Sequence, residues 1–392
     1  MSEQVFVIAA KRTPFGSLNG IFSEIEAPQL GAAAMRGALA AAGIDGATVD
    51  EVIVGQVLSG GCGQAPARQA MRAAGIPDSA HALTINKVCG SGLKAIMLGA
   101  DSIRLGESKV VVAGGMENMS MAPYFLRKAR SGYRMGHSQL FDMMIYDGLQ
   151  DPFTGRHIGE IGEKSAAAGN ITREAQDAFA TRSYERAQAA IRGGVFVDEI
   201  VPVIKKGRKG DEVFDTDEEP FRGDTSKFSQ LRPAFQKDGT ITAGNASTIS
   251  DGSAMLVLAS EAAVEAYGLV PRARILASAT ESRHPDNFSE APIGSIQKAC
   301  SRAGLSVSDI DLFEINEAFS TVPLLAINAL GLSLEKVNVN GGACAIGHPI
   351  GASGARLAMT LVNELHRSGK RYGLATLCIG GGEAVAVIFE RI

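Results

Sequence analysis

A long-range internal repeat constrains the fold of this chain more than any other feature. Residues 42–44 (Ala-Gly-Ile) precede the segment 49–54, and residues 303–305 (Ala-Gly-Leu) precede the segment 310–315 at the same offset. In both places a glycine follows a helical pattern and a short apolar segment comes next, as expected for a helix that ends before a buried strand. The repeat predicts two similar α/β units related by duplication.

A second pair of segments extends the repeat. Residues 90–94 open a helical pattern that leads to the apolar run 110–115, and residues 351–356 open a similar helix that leads to 374–381. Each half is therefore predicted to run helix, strand, glycine-rich turn, helix, strand. The fold class is α/β, with two duplicated domains in a layered arrangement. We assign residues 1–119 and 246–270 to the first domain and residues 271–392 to the second.

The segment 120–245 has no counterpart in the second half and interrupts the first domain. It is richer in charge and in turns, including the run 205–211, and it carries a helical pattern from about Thr172 to Arg192. Long insertions often cap a binding site, so we expect an inserted loop domain that serves as a lid. The alternative is a surface excursion with no role in binding.

Composition and targeting signals exclude several classes of protein. A formal net charge of −4 over 392 residues argues against nucleic acid as the main partner. The amino terminus lacks the features of a signal peptide, and no stretch of about 18 apolar residues is present to span a membrane. The odd number and wide spacing of the cysteines fit neither a disulfide framework nor a zinc site, and they favour a reducing, cytoplasmic compartment. These cysteines are Cys62, Cys89, Cys300, Cys344 and Cys378.

Three of the glycine-rich turns carry reactive side chains, namely Cys89, His348 and Cys378. Two thiols and an imidazole suit chemistry that needs a nucleophile, an activating base and a second proton carrier. Each residue alone has a structural alternative, since a buried cysteine packs as a small apolar residue and a histidine satisfies backbone groups. The combination favours catalysis.

Cys89 lies immediately before a predicted helix that begins with glycine and serine. The unpaired N–H groups and the positive dipole end of a helix favour a thiolate. We therefore expect Cys89 to be the most reactive thiol of the chain near neutral pH.

Several short motifs are spread nearly from end to end of the chain. They are Arg12-Thr13-Pro14-Phe15-Gly16, Gly63-Gln64-Ala65-Pro66-Ala67-Arg68-Gln69, Asn86-Lys87-Val88-Cys89-Gly90-Ser91-Gly92, Gly114-Gly115-Met116-Glu117-Asn118-Met119-Ser120, Thr242-Ala243-Gly244-Asn245-Ala246-Ser247, Asn316-Glu317-Ala318-Phe319 and Gly347-His348-Pro349. As a set they resemble the motifs of thiolases, most closely those of the biosynthetic type. The resemblance implies a thiolase fold and a ping-pong condensation of two acetyl-CoA to acetoacetyl-CoA and CoA.

The resemblance also implies a role for each catalytic residue. Cys89 is expected to carry the acyl group, and His348 to activate it and donate to a thioester oxygen. Cys378 is expected to move the proton at the α-carbon of the substrate, and Asn316 to anchor a water that stabilises an oxyanion. The backbone N–H groups of Cys89 and Gly380 are expected to form a second oxyanion hole, because acyl transfer and condensation build two different anions.

Further residues are implied in binding coenzyme A thioesters, the only small molecules that the reaction requires. The pocket around the pantetheine and acyl groups is expected to include His157, Ser247, Ala318 and Phe319. The candidates for contact with the nucleotide phosphates are Arg127, Lys128, Arg130, Arg134 and Arg222. The resemblance implies no metal, no redox cofactor and a homotetramer built as a dimer of dimers.

The chain departs from the usual motifs of the family at a few positions. Ile158 and Phe288 stand where methionine is common, and both are less adaptable in shape, which favours short acyl chains. The other departures are Ser250, Cys344 and Glu383.

Three alternatives to a short-chain thiolase differ in class. A degradative 3-ketoacyl-CoA thiolase would share the catalytic residues and accept longer chains. A β-ketoacyl synthase would lack the second cysteine, and a non-catalytic acyl-CoA-binding protein would have lost at least one of Cys89, His348 and Cys378.

Overall fold

A computed structural model describes residues 3–207 and 210–392, so Arg208 and Lys209 of the charged run 205–211 lie outside the described residues. The strands are β1 (Val5–Arg12), β2 (Gly16–Ser17), β3 (Glu51–Gly55), β4 (His81–Ile85), β5 (Val110–Asn118), β6 (Tyr124–Leu126), β7 (Leu140–Asp142), β8 (Val203–Lys205), β9 (Glu212–Phe214), β10 (Ser250–Ser260), β11 (Ala273–Ser282), β12 (Leu312–Ile315), β13 (Tyr372–Ile379) and β14 (Glu383–Arg391). The helices are α1 (Ala27–Ala42), α2 (Pro66–Ala73), α3 (Ser91–Arg104), α4 (Ile158–Ala168), α5 (Arg173–Arg192), α6 (Glu261–Tyr267), α7 (Ala291–Ala303), α8 (Thr321–Leu330), α9 (Ala343–Ile346) and α10 (Ser353–Ser368).

The main sheet consists of two half-sheets with the same internal order. Its strands run β12-β13-β14-β11-β1-β10-β5-β3-β4. In each half a parallel pair (β3 with β5, β12 with β13) is followed towards the centre by two antiparallel pairings. The first half carries β4 as an additional parallel strand at its outer edge, next to β3. The halves meet at β1 and β11, which pair only at Phe6 with Arg274 and at Val7 with Ala273. This arrangement confirms the predicted α/β fold class.

Helices separate the two half-sheets and cover their outer faces. Helices α3 and α10 pack on each other between the half-sheets, and α10 contacts strands of both. Their apolar residues share one buried cluster with both half-sheets, including Leu93, Ile96, Leu357, Leu256 and Val387. Helices α1 and α2 cover the outer face of the first half, and α7 covers that of the second. The sequence repeat thus produces a layered molecule, with its two glycine-rich helix starts at the centre.

Glycines permit the close approach of the two central helices. A Cβ atom on Gly92 of α3 would lie 2.9 Å from the backbone N of Ala355 and the backbone O of Gly351. On the facing helix, a Cβ on Gly354 would lie 2.4 Å from the backbone N of Leu93. Backbone atoms cannot move aside as a flexible side chain can, so these positions require glycine. The helix starts that follow Cys89 and His348 are thereby held together.

The segment 120–245 contributes the β6–β7 and β8–β9 hairpins and helices α4 and α5 before the chain returns to the sheet at β10. A buried arginine of β1 ties this segment to the first half-sheet. Arg12 Nη1 lies 2.6 Å from Asp217 Oδ1, and Arg12 Nε lies 3.2 Å from Glu199 Oε2. Within 3–207 and 210–392, no helix is long and apolar enough to cross a membrane.

Candidate active site

A cavity of about 260 Å³ lies where the two halves and the segment 120–245 meet. It collects most of the residues that the sequence singles out. Those on its wall are Cys89, His157, Ser247, Ala318, Phe319, His348, Cys378 and Gly380, together with Ile158 and Phe288. In the described part of the chain, no three or more His, Cys, Asp or Glu side chains are grouped to hold a metal ion.

Cys89 sits on a strained turn that leads into α3. Val88 has a φ of 46°, a left-handed conformation that a β-branched residue rarely adopts. Ser91 holds the turn closed, because its Oγ accepts from Lys87 N–H at 2.8 Å and donates to the Val88 carbonyl at 2.7 Å. A Cβ on Gly90 would lie 2.4 Å from Ile379 Cδ1, so a larger residue in this turn would displace the Ile379 side chain at the end of β13. The strain fits a side chain held in a fixed position for function.

Burial opposes ionisation of the Cys89 thiol, although its place before a helix favours the thiolate. Burial raises its pKa to about 11, although the backbone N–H groups of Gly380 and of Cys89 itself act in the opposite direction. The N–H groups of Gly380 and Cys89 are therefore directed at the sulfur and lower its pKa. The removal of the thiol from solvent raises the pKa by more. The prediction that Cys89 is the most reactive thiol of the chain concerns relative reactivity and stays a prediction.

His348 is a buried, neutral imidazole with both ring nitrogens engaged. Its Nδ1 is hydrogen-bonded to Ser353 Oγ, which donates to the Pro349 carbonyl at 2.9 Å. Its Nε2 lies 3.3 Å from Asn316 Nδ2. Burial, and secondarily the charge of Arg356, lowers the pKa of His348 to about 3. At neutral pH the ring can accept a proton, and it stays uncharged until it does so.

Asn316 lies beside Nε2 of His348, immediately after β12. The structure brings it to the site through this one contact, and it does not line the cavity. Its Oδ1 is buried and has no hydrogen-bond partner among the residues described. A buried amide oxygen of this kind normally binds a water or a ligand group.

Cys378 is the penultimate residue of β13 and is fully buried. Burial, and next the neighbouring Cys89, raises the pKa of its thiol well above the ordinary value. The backbone N–H of Gly380, two residues further on, is directed at Cys89. Gly381 and Gly382 follow with φ angles of 94°, and the chain turns there into β14. Both thiols and one backbone donor therefore converge on the same volume.

Aromatic rings form one part of the cavity wall, two from the segment 120–245 and two from the second half. His157 stacks on Phe235 with ring centroids 4.8 Å apart, and its Nδ1 accepts from Gly159 N–H at the start of α4. Phe319 meets Phe235 edge to face at 5.9 Å and Phe288 at 6.4 Å. The departure at Phe288 therefore adds a ring to this wall.

The remaining departures lie around the catalytic turns. Oε2 of Glu383 lies 2.5 Å from Nζ of Lys87, which is two residues before Cys89 in the sequence. Ser250 Oγ donates to the Thr248 carbonyl at 3.0 Å and occupies the space beside Gly347. Cys344 is fully buried and is not among the described residues that line the cavity. These three residues support the turns and do not form the wall.

The candidates for contact with the nucleotide phosphates lie away from the cavity. Arg222 pairs with Glu218 at 3.0 Å, and its side chain is 55% exposed. Arg127 packs over the rings of Phe141 and Tyr146 in the β6–β7 region. Among the described residues that line the cavity, none of the five basic candidates appears. The structure therefore does not bring Arg222 together with the catalytic residues.

Sequence reasoning missed two buried residues that position the catalytic turns, Ser353 and Glu117. The Glu117 carboxylate accepts N–H bonds from Val57 at 3.0 Å, Leu58 at 3.1 Å and Gly351 at 2.9 Å. It thus ties the loop after β3 to the loop between His348 and α10, and burial raises its pKa to about 7. Both residues lie inside glycine-rich motifs, where a serine or an acid is easily taken for part of a turn.

Comparison with known proteins identifies the family. The family description "Thiolase, N-terminal domain" matches residues 5–262, and "Thiolase, C-terminal domain" matches residues 269–391. The chain is 50% identical to an acetyl-CoA acetyltransferase of Pseudomonas aeruginosa, over 99% of this chain and 100% of that protein. It is 49% identical to proteins of the same name from Escherichia coli K12, over 98% of each chain, and from Cupriavidus necator, over 99% of each. The chain therefore belongs to the thiolase family.

Proposed function

We propose that this chain is an acetyl-CoA C-acetyltransferase, which condenses two acetyl-CoA reversibly to acetoacetyl-CoA and CoA through an acetyl-Cys89 intermediate. The observation that carries the proposal is the convergence of two thiols, a neutral imidazole and an N–H donor on one small cavity. A β-ketoacyl synthase would not need the second thiol, and a binding protein would need neither. Relatives that are about 50% identical to this chain over nearly their full length bear the name acetyl-CoA acetyltransferase.

The first half-reaction transfers the acetyl group to Cys89. The imidazole of His348 takes the thiol proton as the sulfur attacks the thioester carbonyl. The N–H groups of Cys89 and Gly380 stabilise the oxyanion, and a donor of this kind is typically worth roughly 3–4 kcal/mol of barrier. When the tetrahedral intermediate collapses, CoA leaves as a thiolate and receives the proton from the imidazolium.

The second half-reaction forms the carbon–carbon bond. Cys378 gives its proton to the imidazole of His348 and then takes the α-proton of a second acetyl-CoA. The resulting enolate oxygen is stabilised by the imidazolium and by a water held on the free Oδ1 of Asn316. The enolate carbon attacks the acetyl carbonyl, and the Cys89 thiolate leaves and recovers its proton from the imidazolium. All residues then return to their starting protonation states.

Substrate binding and assembly belong to the same proposal. His157, Ser247, Ala318 and Phe319 contact the pantetheine and acyl groups, because they line the approach to Cys89. Coenzyme A thioesters suffice as substrates without a metal or redox cofactor, since a thioester already acidifies its α-hydrogens. We place the protein in the cytoplasm as a homotetramer, in keeping with its family.

The cavity favours short acyl chains over the degradative alternative. Its wall carries the aromatic ring of Phe288 and the β-branched Ile158, neither of which adapts its shape as methionine does. One methylene is worth only about 1–3 kcal/mol in an apolar pocket, so rejection of five- or six-carbon substrates is partial.

Two measurements test the proposal. Peptide mapping after brief exposure to acetyl-CoA should find the acetyl group on Cys89; an adduct first on Cys62, Cys300 or Cys344 refutes the assignment. A steady-state profile of kcat/KM across 3-ketoacyl-CoA chain lengths should favour acetoacetyl-CoA. Comparable kcat/KM values for acetoacetyl-CoA and a ten-carbon 3-ketoacyl-CoA would instead identify the protein as a degradative 3-ketoacyl-CoA thiolase.

A further inference from the structure

The hydroxyl of Ser353 is the partner of His348 on the side away from the cavity. Ser353 is the first residue of α10 and is 1% exposed. Its Oγ has two neighbours, His348 Nδ1 and the Pro349 carbonyl oxygen at 2.9 Å. A hydroxyl has one proton to donate, and its direction decides which nitrogen of the imidazole carries hydrogen.

Two arrangements of that proton are possible, and the surroundings favour one. If Ser353 donates to the Pro349 carbonyl, its oxygen accepts from Nδ1–H, and both contacts are hydrogen bonds. If Ser353 instead donated to Nδ1, the ring hydrogen would lie on Nε2, which faces the Nδ2 donor of Asn316 at 3.3 Å. Two donors would then oppose each other in a buried site, where an unmade bond is costly. The first arrangement is therefore the stable one.

We infer that Ser353 is a positioning residue that holds neutral His348 as the Nδ1–H tautomer, so that Nε2 is the unprotonated nitrogen that acts as the base. Only the unprotonated nitrogen can take the proton of Cys89, and Nδ1 is occupied by the serine. The ring also needs this support because it is uncharged at neutral pH, so no ionic partner fixes its orientation. The inference rests on the proposed acyl transfer through Cys89.

The experiment compares Ser353→Ala with a matched control, Ser295→Ala. Ser295 Oγ is also fully buried near the start of a helix, also donates to a proline carbonyl (Pro292, 3.0 Å) and also has one further side-chain partner, but it lies in α7, outside the cavity wall. The rate of Cys89 acetylation should fall roughly 10- to 100-fold in Ser353→Ala, a partial loss of the roughly 10²–10⁴-fold that general acid–base catalysis supplies. The KM for acetyl-CoA and the control should change less than about twofold, because neither substrate binding nor folding depends on the tautomer.

Two further readouts separate positioning from packing. In ¹⁵N NMR of histidine-labelled protein, the His348 signals should show one Nδ1–H tautomer in the wild type and a mixture in Ser353→Ala. Ser353→Thr, which restores the hydroxyl, should recover most of the rate. If Ser353→Ala does not fold, Ser353→Cys replaces it, because a thiol is a weak acceptor of nearly the same size.

Three results would overturn the inference: an acetylation rate in Ser353→Ala, or in Ser353→Cys, within twofold of the wild type; an equal loss in Ser295→Ala; or an unchanged tautomer. If the wild type itself is not acetylated on Cys89, the proposed function fails instead, so the two failures are distinguishable.

Discussion

Gly92→Ala tests whether the close approach of the two central helices sets the geometry of the active site. The new Cβ would lie 2.9 Å from the backbone N of Ala355 and the backbone O of Gly351, whereas ordinary contacts begin near 3.4 Å. The two helix starts must therefore separate by about 0.5 Å, because no side chain can move aside. Overpacking of this kind costs typically about 1–3 kcal/mol. Alanine recovers about 1 kcal/mol of helix propensity, so the net loss of stability is roughly 0–2 kcal/mol.

The effect on turnover should exceed this small effect on stability. Cys89 precedes one of these helices and His348 precedes the other. An increase in the distance between the two helices therefore increases the distance between Cys89 and His348. A misplacement of about 1 Å can cost roughly 10²-fold in rate, so a shift of half that size should lower kcat by about tenfold.

Gly99→Ala is the matched control for Gly92→Ala. It lies in the same helix and gains the same propensity, but its Cβ would meet the side chains of Val111 and Leu258 at 3.0 and 3.2 Å, which can yield. Urea denaturation and steady-state kinetics on both variants decide the matter. A kcat for Gly92→Ala within twofold of the Gly99→Ala value would refute the reasoning.

The remaining predictions concern the catalytic groups themselves. Cys378→Ala should spare most acetylation of Cys89 while crippling condensation and thiolysis, because only the carbon–carbon step needs an α-proton carrier; single-turnover acetylation measured beside steady-state condensation checks this, and equal losses contradict it. Asn316→Ala should lower turnover roughly 10²–10³-fold if it supplies one effective donor through water, and near-wild-type turnover removes it from the site. Since burial raises the pKa of Cys89 to about 11, alkylation of Cys89 by iodoacetamide should keep accelerating as pH rises past 9, and a plateau near pH 8.5 would contradict this. His348, with a pKa of about 3, should add no step near pH 6.5.

The layered fold could be predicted from the sequence because the repeat encodes it directly. The segments that begin at Val49 and at Ile310 fall at equivalent places, in or next to β3 and β12 of the two half-sheets. The sequence also shows the glycines of the catalytic turns, but it does not show why glycine is needed there. The sequence places glycines beside Cys89 and His348, but it does not show that Gly92 and Gly354 face each other across the molecule.

Other properties of the site could not be predicted from the sequence, because they depend on how segments that are distant in the sequence fold around the site. The sequence shows that Cys89 precedes a helix, but it does not show that walls from both halves and the insertion exclude water from the thiol. The course of the long insertion is equally invisible, so the sequence does not show that Arg222 pairs with Glu218 on an exposed surface. Ser353 carries no signal, since a serine in a glycine-rich segment is typical of any turn.

Burial of the two thiols together explains how one cavity can serve two half-reactions in order. The charge of a Cys89 thiolate raises the pKa of Cys378, so the two sulfurs resist being ionised at the same time. The repulsion acts only while Cys89 is a thiolate, because both its resting thiol and its acetyl thioester are uncharged. Cys378 is therefore hindered from ionising while Cys89 attacks a thioester, and this hindrance is absent in the acetyl-enzyme, when an α-proton carrier is needed. Burial opposes the Cys378 thiolate in both states, so its ionisation requires that the proton pass to a neighbouring base such as His348.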